Sequence, residues 1–585
     1  MAPIDWAIVA AYLAAALGVG IFFARRAGRS TNEFFLSGRN LPWWLAGTSM
    51  VATSFASDTP LVVTGWVRKA GISFNWIWWS FAIGGMFSVF CLSRLWRRAE
   101  VVTDVELAEL RYDGRSAAVL RAARGAYMAL PVNCITLAWV IVAMVKLMGV
   151  LLGVHPVAAV VICIALTLIY AVLSGFWGVV VTDLLQFVLA MTGSVALCVV
   201  AVARVGGLAA LAERSVSAST LGERLTEFFP RLSGGGAPAG QSFWAGPVFA
   251  FGVFVFVQWW ANKNADGGGV VVQRMAAARD ERHSLLATLW FNVANYALRP
   301  WPWILVALAS VVLLPDADGE KAYPLMMKSL AGPGLMGVMV ASFLGAFMST
   351  VDTHLNLSSA YLVNDVYRRF LRPGASERHY VLVSRIASVG FMLAAGGIAL
   401  AWQSISGLFT FLLAFTSGFG IVLIGRWFWW RINAWSELSA MIASGCIASA
   451  LYALKSFVWP KQLANLTGQG ILVLTVAGST AVWVTVTFLT RPVGREKLAA
   501  FYRKVRPYGA WGPVAAAGEA RRRGELWRML LGWLAGTVMV LAGTFAIGKL
   551  LLGAHRQAGA YLAAAVAGAA LVAVELRRQS RSPAP

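Results

Sequence analysis

Apolar runs recur along the whole chain, separated by short stretches rich in arginine, glycine and proline. A run of about 20 apolar residues wound as a helix matches the thickness of a bilayer's hydrocarbon core. Read this way, the pattern predicts about fifteen spanning helices, at about 4–24, 41–65, 74–96, 117–152, 156–173, 179–205, 242–261, 284–314, 336–363, 380–402, 407–428, 434–454, 468–489, 529–552 and 558–574. Basic residues gather behind alternate helices: Arg25, Arg26, Arg29 and Arg39 after the first, Arg97 and Arg98 after the third, Arg368, Arg369 and Arg372 after the ninth. Basic loops stay in the cytoplasm, so the N-terminus is expected outside and the C-terminus inside. No basic segment precedes the first run, which is therefore expected to remain as a helix and not to be cleaved. The alternating segments of about 10 residues that mark a β-barrel are absent.

Polar interruptions inside these runs are the next signal. Ala52-Thr-Ser-Phe-Ala-Ser-Asp-Thr-Pro60 breaks predicted helix 2 with residues that bond their own backbone and a closing proline. Helix 7 carries weaker signs, near Gln258 or at Gly267-Gly-Gly269, and 273–280 reads as a basic cytoplasmic loop. Helix 4 is expected to tilt or break near Pro131, 103–112 to lie on the inner surface, and 206–241 to form a long outer loop. Helices 2–6 and 7–11 form two groups of five, and an odd number turns the second group upside down. Inverted repeats whose first helix is interrupted are a transporter pattern, because broken backbone offers carbonyls to a cation and amides to a substrate. The expected organisation is 1–40 (first helix and loop), 41–205 and 242–431 (the two repeats), 206–241 (outer loop), 432–490 (two helices), 491–528 (basic linker) and 529–585 (two helices and a tail).

One helix carries polar groups where a bilayer helix should not. In Leu344-Gly-Ala-Phe-Met-Ser-Thr-Val-Asp-Thr-His-Leu-Asn356, residues Ala346, Ser349, Thr350 and Thr353 share a face, flanked by Asp352. An ionisable group at membrane depth is tolerated when it lines a cavity, pairs or holds an ion. The face is therefore a candidate cation site; the plainer reading is that its hydroxyls bond back to their own helix.

Composition narrows the classes. Only 13% of the 585 residues are charged and mean hydropathy is +0.69, too apolar for a soluble protein. The net charge of +23 reflects cytoplasmic loops better than a nucleic-acid partner. The five cysteines sit singly in apolar segments, giving no disulfide framework and no zinc spacing. The five histidines are scattered, and neither HExxH nor GxSxG occurs, so an enzyme is not expected.

With the motifs Phe35-Leu-Ser-Gly-Arg-Asn-Leu-Pro-Trp-Trp44, Gly47-Thr-Ser49, Leu173-Ser-Gly-Phe-Trp-Gly-Val-Val-Val-Thr-Asp-Leu-Leu-Gln186, Val272-Gln-Arg-Met-Ala-Ala-Ala-Arg-Asp280, Met348-Ser-Thr350 and Asn364-Asp-Val-Tyr367, the chain resembles the sodium:solute symporter family over roughly 1–460. The resemblance implies an all-α polytopic membrane protein with the LeuT-type 5+5 inverted-repeat bundle and extra N- and C-terminal helices. It implies a sodium ion as coupling ion, held by carbonyls of Ala52, Phe55 and Ala346 and hydroxyls of Ser349 and Thr350, a set that suits a hard cation. A second sodium site in some relatives falls here on Asp183, Ser349, Asp352 and Thr353. Asp352 replaces a hydroxyl residue, and two neighbouring carboxylates either bind a cation more tightly or share a proton. Sugar contacts of the family fall at Ser54, Thr59, Trp78, Asn295 and Thr410, with the acidic contact replaced by Trp78, so a hexose is not expected. Trp78, Trp79, Trp259 and Trp260 are candidate cavity walls, Asp58 a candidate partner for a cationic group and Arg299 for an anionic one. The expected protein is a sodium-coupled symporter importing a small organic solute by alternating access, multi-pass in the inner cell membrane, monomeric or weakly oligomeric. Proton coupling on the same fold and a transport-derived solute sensor are the alternatives.

Overall fold

The computed structural model describes residues 1–27, 37–101, 103–171, 176–231, 244, 246–514 and 519–581, and among them every regular element is helical. Arg29, Phe35 and Leu36, and Ser174-Gly175 of the helix 6 motif, lie outside the described residues. In order the membrane helices are α1 (Pro3–Ala27), the pair α2a (Trp43–Ser54) and α2b (Thr59–Ala70), α3 (Ile72–Ala99), α4 (Gly114–Leu152), α5 (Pro156–Ala171) and α6 (Phe176–Val205). The second set is the pair α7a (Pro247–Ala261) and α7b (Gly268–Ala277), then α8 (Glu281–Leu313), α9 (Leu335–Leu371), α10 (Glu377–Ala401), and the pair α11a (Ile405–Phe415) and α11b (Gly420–Phe428). Four more follow: α12 (Ala434–Val458), α13 (Gly468–Leu489), α14 (Glu519–Leu551) and α15 (His555–Arg581). Among the described residues ten helices are long and apolar enough to cross a membrane singly, and the α11 pair, bent by 44°, makes an eleventh if it counts as one span.

The helices sort into interior and lipid-facing by what they bury. Nine residues of α2a, from Leu45 to Thr53, are buried. Its close approach to α8 depends on Gly47, where a Cβ would meet the Ala287 carbonyl oxygen at 2.6 Å. On α5, α6 and α10 by contrast, Val161, Val199 and Ile386 stand about 60% exposed, as on a surface solvated by lipid tails.

Local sequence explains the irregular turns. α4 passes Pro131 without breaking, through a π-turn at Met128–Val132 that leaves room for the missing N–H. α8 contains a second such segment, Val293–Leu298, just before Pro300.

Three segments differ from the sequence expectation. The break in helix 7 falls at 262–267, later than Gln258, and much of the expected basic loop is the half-helix α7b, with Val272 to Ala277 buried. Glycines and valines from Gly267 to Val272 supply an apolar turn on which Arg274 is carried inward. The outer loop contains a helix, Leu208–Ala218, and a 3₁₀ turn, Gly222–Thr226, that bury Leu211 and Leu225. The expected surface piece contributes a short helix, Leu107–Arg111, whose Arg111 is fully buried against Phe501 and Trp511.

Candidate ion and solute sites

The chain unwinds between Ser54 and Thr59, where α2a ends and α2b begins. Helix carbonyls at such an end lack their usual partners. Arg299 of α8 takes two of them: Nη1 donates to the Val51 oxygen at 2.9 Å and Nη2 to the Ser54 oxygen at 3.1 Å. Its guanidinium lies against the rings of Phe55, Trp78 and Trp303. Arg299 thus braces the break with its charge at the negative end of α2a. It does not line the cavity described below, which removes it as a contact for an anionic solute.

α9 meets the break from the other side. Thr350 Oγ1 lies 3.3 Å from the Thr53 oxygen and 3.0 Å from the Ala346 oxygen. The Ala52 oxygen accepts from the Phe55 N–H at 2.9 Å. Both the back-bond and the contact across to α2a are therefore made by one hydroxyl. Beside it Ser349 Oγ donates to Asp183 Oδ1 at 2.5 Å, and Ser49 Oγ donates to Asp183 Oδ2 at 2.6 Å. Asp183 is fully buried two turns into α6.

A built-in cation completes this cluster. Arg274 of α7b donates through Nε to Ser49 Oγ at 3.0 Å and through Nη2 to Thr53 Oγ1 at 2.9 Å. The same Nη2 lies 3.4 Å from Thr353 Oγ1 and 3.5 Å from Asp183 Oδ2, and Asp352 also acts on Arg274 electrostatically. The guanidinium therefore stands among the residues expected to ligate a second sodium. Burying Asp183 without such a partner would be prohibitive. Sequence reading missed Arg274 because it was assigned to a loop; the apolar Gly267–Val272 run ahead of it was the available signal.

Next to this cluster lies a cavity of about 320 Å³. Ser54, Asp58, Thr59, Trp78, Trp259 and Asn295 from the expected substrate set line it, together with Thr53 and Thr350. Trp260, Thr410 and Trp79 do not line it. Trp260 turns outward and donates to the Phe256 oxygen, Thr410 bonds back to the Ser406 oxygen, and Trp79 is buried against Trp76 and Phe545. Phe409, one residue before Thr410, takes the wall position. Lys263 and His354 are cavity-lining residues that the sequence reading did not single out; the α7 break carries the first, and His354 Nδ1 is 3.0 Å from Asn133 Oδ1. Two buried oxygens in the lining, Asp58 Oδ1 and Asn295 Oδ1, lack a hydrogen-bond partner among the described residues.

Both ends of the cavity are tied across helices. At one end Trp66 Nε1 donates to Ser406 Oγ at 3.2 Å, and the Trp66 and Trp139 rings pack on Phe409. Above them Glu320 pairs with Lys146 and accepts from the N–H groups of Ile405 and Ser406 at the start of α11a. At the arginine-rich end, Arg426 pairs with Asp266 at the α7 break at 2.5 Å and with Glu437 at 3.1 Å. Arg124 joins Glu437 to Asp104, whose other oxygen accepts from Tyr361 at 2.5 Å. A central cavity with a breakable set of contacts at each end is the arrangement that alternating access requires.

Among the described residues no group of three or more His, Cys, Asp or Glu is arranged to hold a transition metal. An oxygen-only set from carbonyls and hydroxyls, as at the α2 break and α9, fits a hard cation.

The chain is similar to known transporters. The sodium/mannose cotransporter SLC5A10 of Bos taurus is 28% identical over 510 residues, covering 78% of this chain and 80% of its own. Sodium/glucose cotransporter 4 of Danio rerio is 26% identical over 499 residues, covering 78% and 72%, and sodium/myo-inositol cotransporter 2 of Sus scrofa 26% over 512, covering 78% and 71%. A solved Na⁺-coupled sialic acid symporter, in a substrate-bound outward-open state, shares the fold with a TM-score of 0.65 at 20% identity, covering 84% of this chain and 99% of that one. These relatives are transporters and not enzymes, and the helices described make this a multi-pass membrane protein of the LeuT-type fold. With residues 34–444 matching its pattern, the chain belongs to the sodium:solute symporter family.

Proposed function

We propose that this protein is a sodium-coupled symporter that carries a small organic solute bearing hydroxyl or amino groups into the cell across the cytoplasmic (inner) membrane. The observation that carries the reading is the junction of α2a, α2b and α9. Thr350 of α9 meets the Thr53 carbonyl at the end of α2a, and the same break opens onto the cavity through Ser54 and Asp58. A cation held by the Ala52, Phe55 and Ala346 carbonyls and by Ser349 and Thr350 would brace α2 against α9 and so favour one end-state of the carrier. The unpartnered Asp58 and Asn295 oxygens ask for hydrogen-bond donors on the solute, and Trp78 and Trp259 offer ring faces to its carbon skeleton.

Arg274 favours one coupling sodium over two. Its fixed charge neutralises Asp183 where the second ion of some relatives would sit, so Asp352 and Thr353 belong to the surroundings of a guanidinium and not to a sodium shell. Because Trp78 stands where the acidic sugar contact would be, myo-inositol is the first probe and the hexoses D-mannose and D-glucose are comparison probes; proteoliposome uptake with a sodium gradient and with potassium in its place tests the proposal. The expected outcome is sodium-stimulated uptake with a Hill coefficient near 1 for sodium. Ser349→Ala should raise the sodium half-saturation several-fold by removing one oxygen ligand; sodium dependence untouched by that change would sink the site assignment.

A further inference from the structure

α14 begins well past the 34–444 stretch that matches the family, yet it packs on three of the helices that wall the cavity. The Tyr296 carbonyl would normally accept from the N–H four residues on, but residue 300 is proline and has none. Thr544 of α14 meets that carbonyl: its fully buried Oγ1 lies 2.9 Å from the Tyr296 oxygen and 2.8 Å from the Val540 oxygen of its own helix, so its single proton is shared between α14 and α8. Tyr296 and its neighbour Asn295 both line the cavity, in the π segment of α8. Three turns earlier on α14, Trp533 Nε1 donates to the Ile83 oxygen at 2.8 Å, next to the cavity-lining Gly84 and Gly85 of α3. The Trp533 ring also packs on Trp259 of α7a, with centroids 5.4 Å apart.

Small residues allow this approach. A Cβ at Gly532 would lie 2.7 Å from Phe90, and one at Gly536 2.9 Å from Met86, so two glycines one turn apart set α14 flush against α3. The Thr544 contact serves a carbonyl to which Pro300 offers no N–H and which lipid could not satisfy, and the Trp533 N–H adds a second tie at the Ile83 oxygen of α3. Without them the wall segments would have to find other partners, and the lining side chains would shift.

We propose that α14 is a positioning element of the solute cavity, in which Thr544 and Trp533 fix the wall that α3, α7a and α8 present to the solute. The proposal rests on the solute-carrier reading above. It is tested on the full chain in proteoliposomes with D-mannose, D-glucose and myo-inositol as probes. Thr544→Val keeps the side-chain shape and removes the hydroxyl; Trp533→Phe keeps a ring and removes the N–H. In each variant the apparent KM for the transported probe should rise about fivefold or more, the scale of one lost buried hydrogen bond. The sodium half-saturation should stay within about twofold, and Thr544→Ser should restore the wild-type KM. An unchanged KM, or a sodium half-saturation that moves in step with it, overturns the proposal. Backbone hydrogen exchange on the same purified variants gives a readout free of the solute's identity. Faster exchange confined to 292–300 and 82–86 supports α14 as a positioning element; unchanged exchange there, or acceleration spread through α9, refutes it. If the wild type moves none of the three probes, the solute reading fails on that panel, while the exchange result still decides the role of α14.

Discussion

The pairing of Asp183 with Arg274 is best probed by a double-mutant cycle. Asp183→Asn leaves the buried guanidinium among Ser49, Thr53 and Thr353 with Asp352 as its remaining counter-charge; Arg274→Gln leaves a buried carboxylate held by the Ser49, Thr53 and Ser349 hydroxyls. Both side chains are fully buried. Removing one partner of a buried pair costs about 3–5 kcal/mol, because the remaining charge keeps its desolvation penalty. The combined variant removes both charges of the pair and should cost less than the sum, giving a coupling of about 2–3 kcal/mol, near the top of the range for directly interacting residues. The 3.5 Å separation and the hydroxyl bridges keep the figure below that of an ideal bidentate pair. The assay is denaturant unfolding of the purified protein in detergent, for wild type, both single variants and the double variant, in potassium buffer so that sodium does not bias the states. Additivity within about 0.5 kcal/mol would refute the inference that Arg274 is the fixed counter-ion of Asp183. A second readout follows from the same geometry: with the guanidinium gone, the acidic cluster should admit an extra cation, and Arg274→Gln should raise the Hill coefficient for sodium above that of the wild type.

Two further changes probe the surrounding frame. Arg299→Lys keeps the charge but loses the planar fork that spans the Val51 and Ser54 carbonyls, so sodium half-saturation should rise by about an order of magnitude while the protein still folds; an unchanged value would show that Arg299 does not shape the α2 break. Gly548→Ala places a Cβ 1.8 Å from the buried Trp301 ring and should lower stability by about 1–3 kcal/mol in the same detergent assay. The control Gly543→Ala, with 4.0 Å to its nearest neighbour, should be close to neutral.

Much of this protein was legible one residue at a time. Runs of bilayer length made it a helical membrane protein, because lipid leaves the backbone no partner but itself. The polar stretch closed by Pro60 announced the α2 break, and the Ser349-Thr350 face announced the hydroxyls that meet it. These are local signals: period, length, and side chains that compete for their own backbone.

What only the tertiary structure decided is where long side chains travel and what waits for them. Arg274 follows an apolar turn and sits among alanines, arginines and an aspartate, so charge alone placed it in a loop; Asp183, 91 positions earlier on α6, draws it into the bilayer. Trp259 and Trp260 are neighbours of one chemistry, yet one walls the cavity and the other does not, because successive residues of a helix project in different directions and only the packing decides which direction is the cavity. Thr544 and Pro300 are 244 residues apart, and no pattern in either segment says that the hydroxyl of one answers the N–H missing from the other. Buried polar groups must be paired, so the sequence determined that partners exist for Asp183 and for the freed carbonyls. Which residues they are depends on how the helical segments pack, a property of the three-dimensional arrangement and of no single stretch of chain.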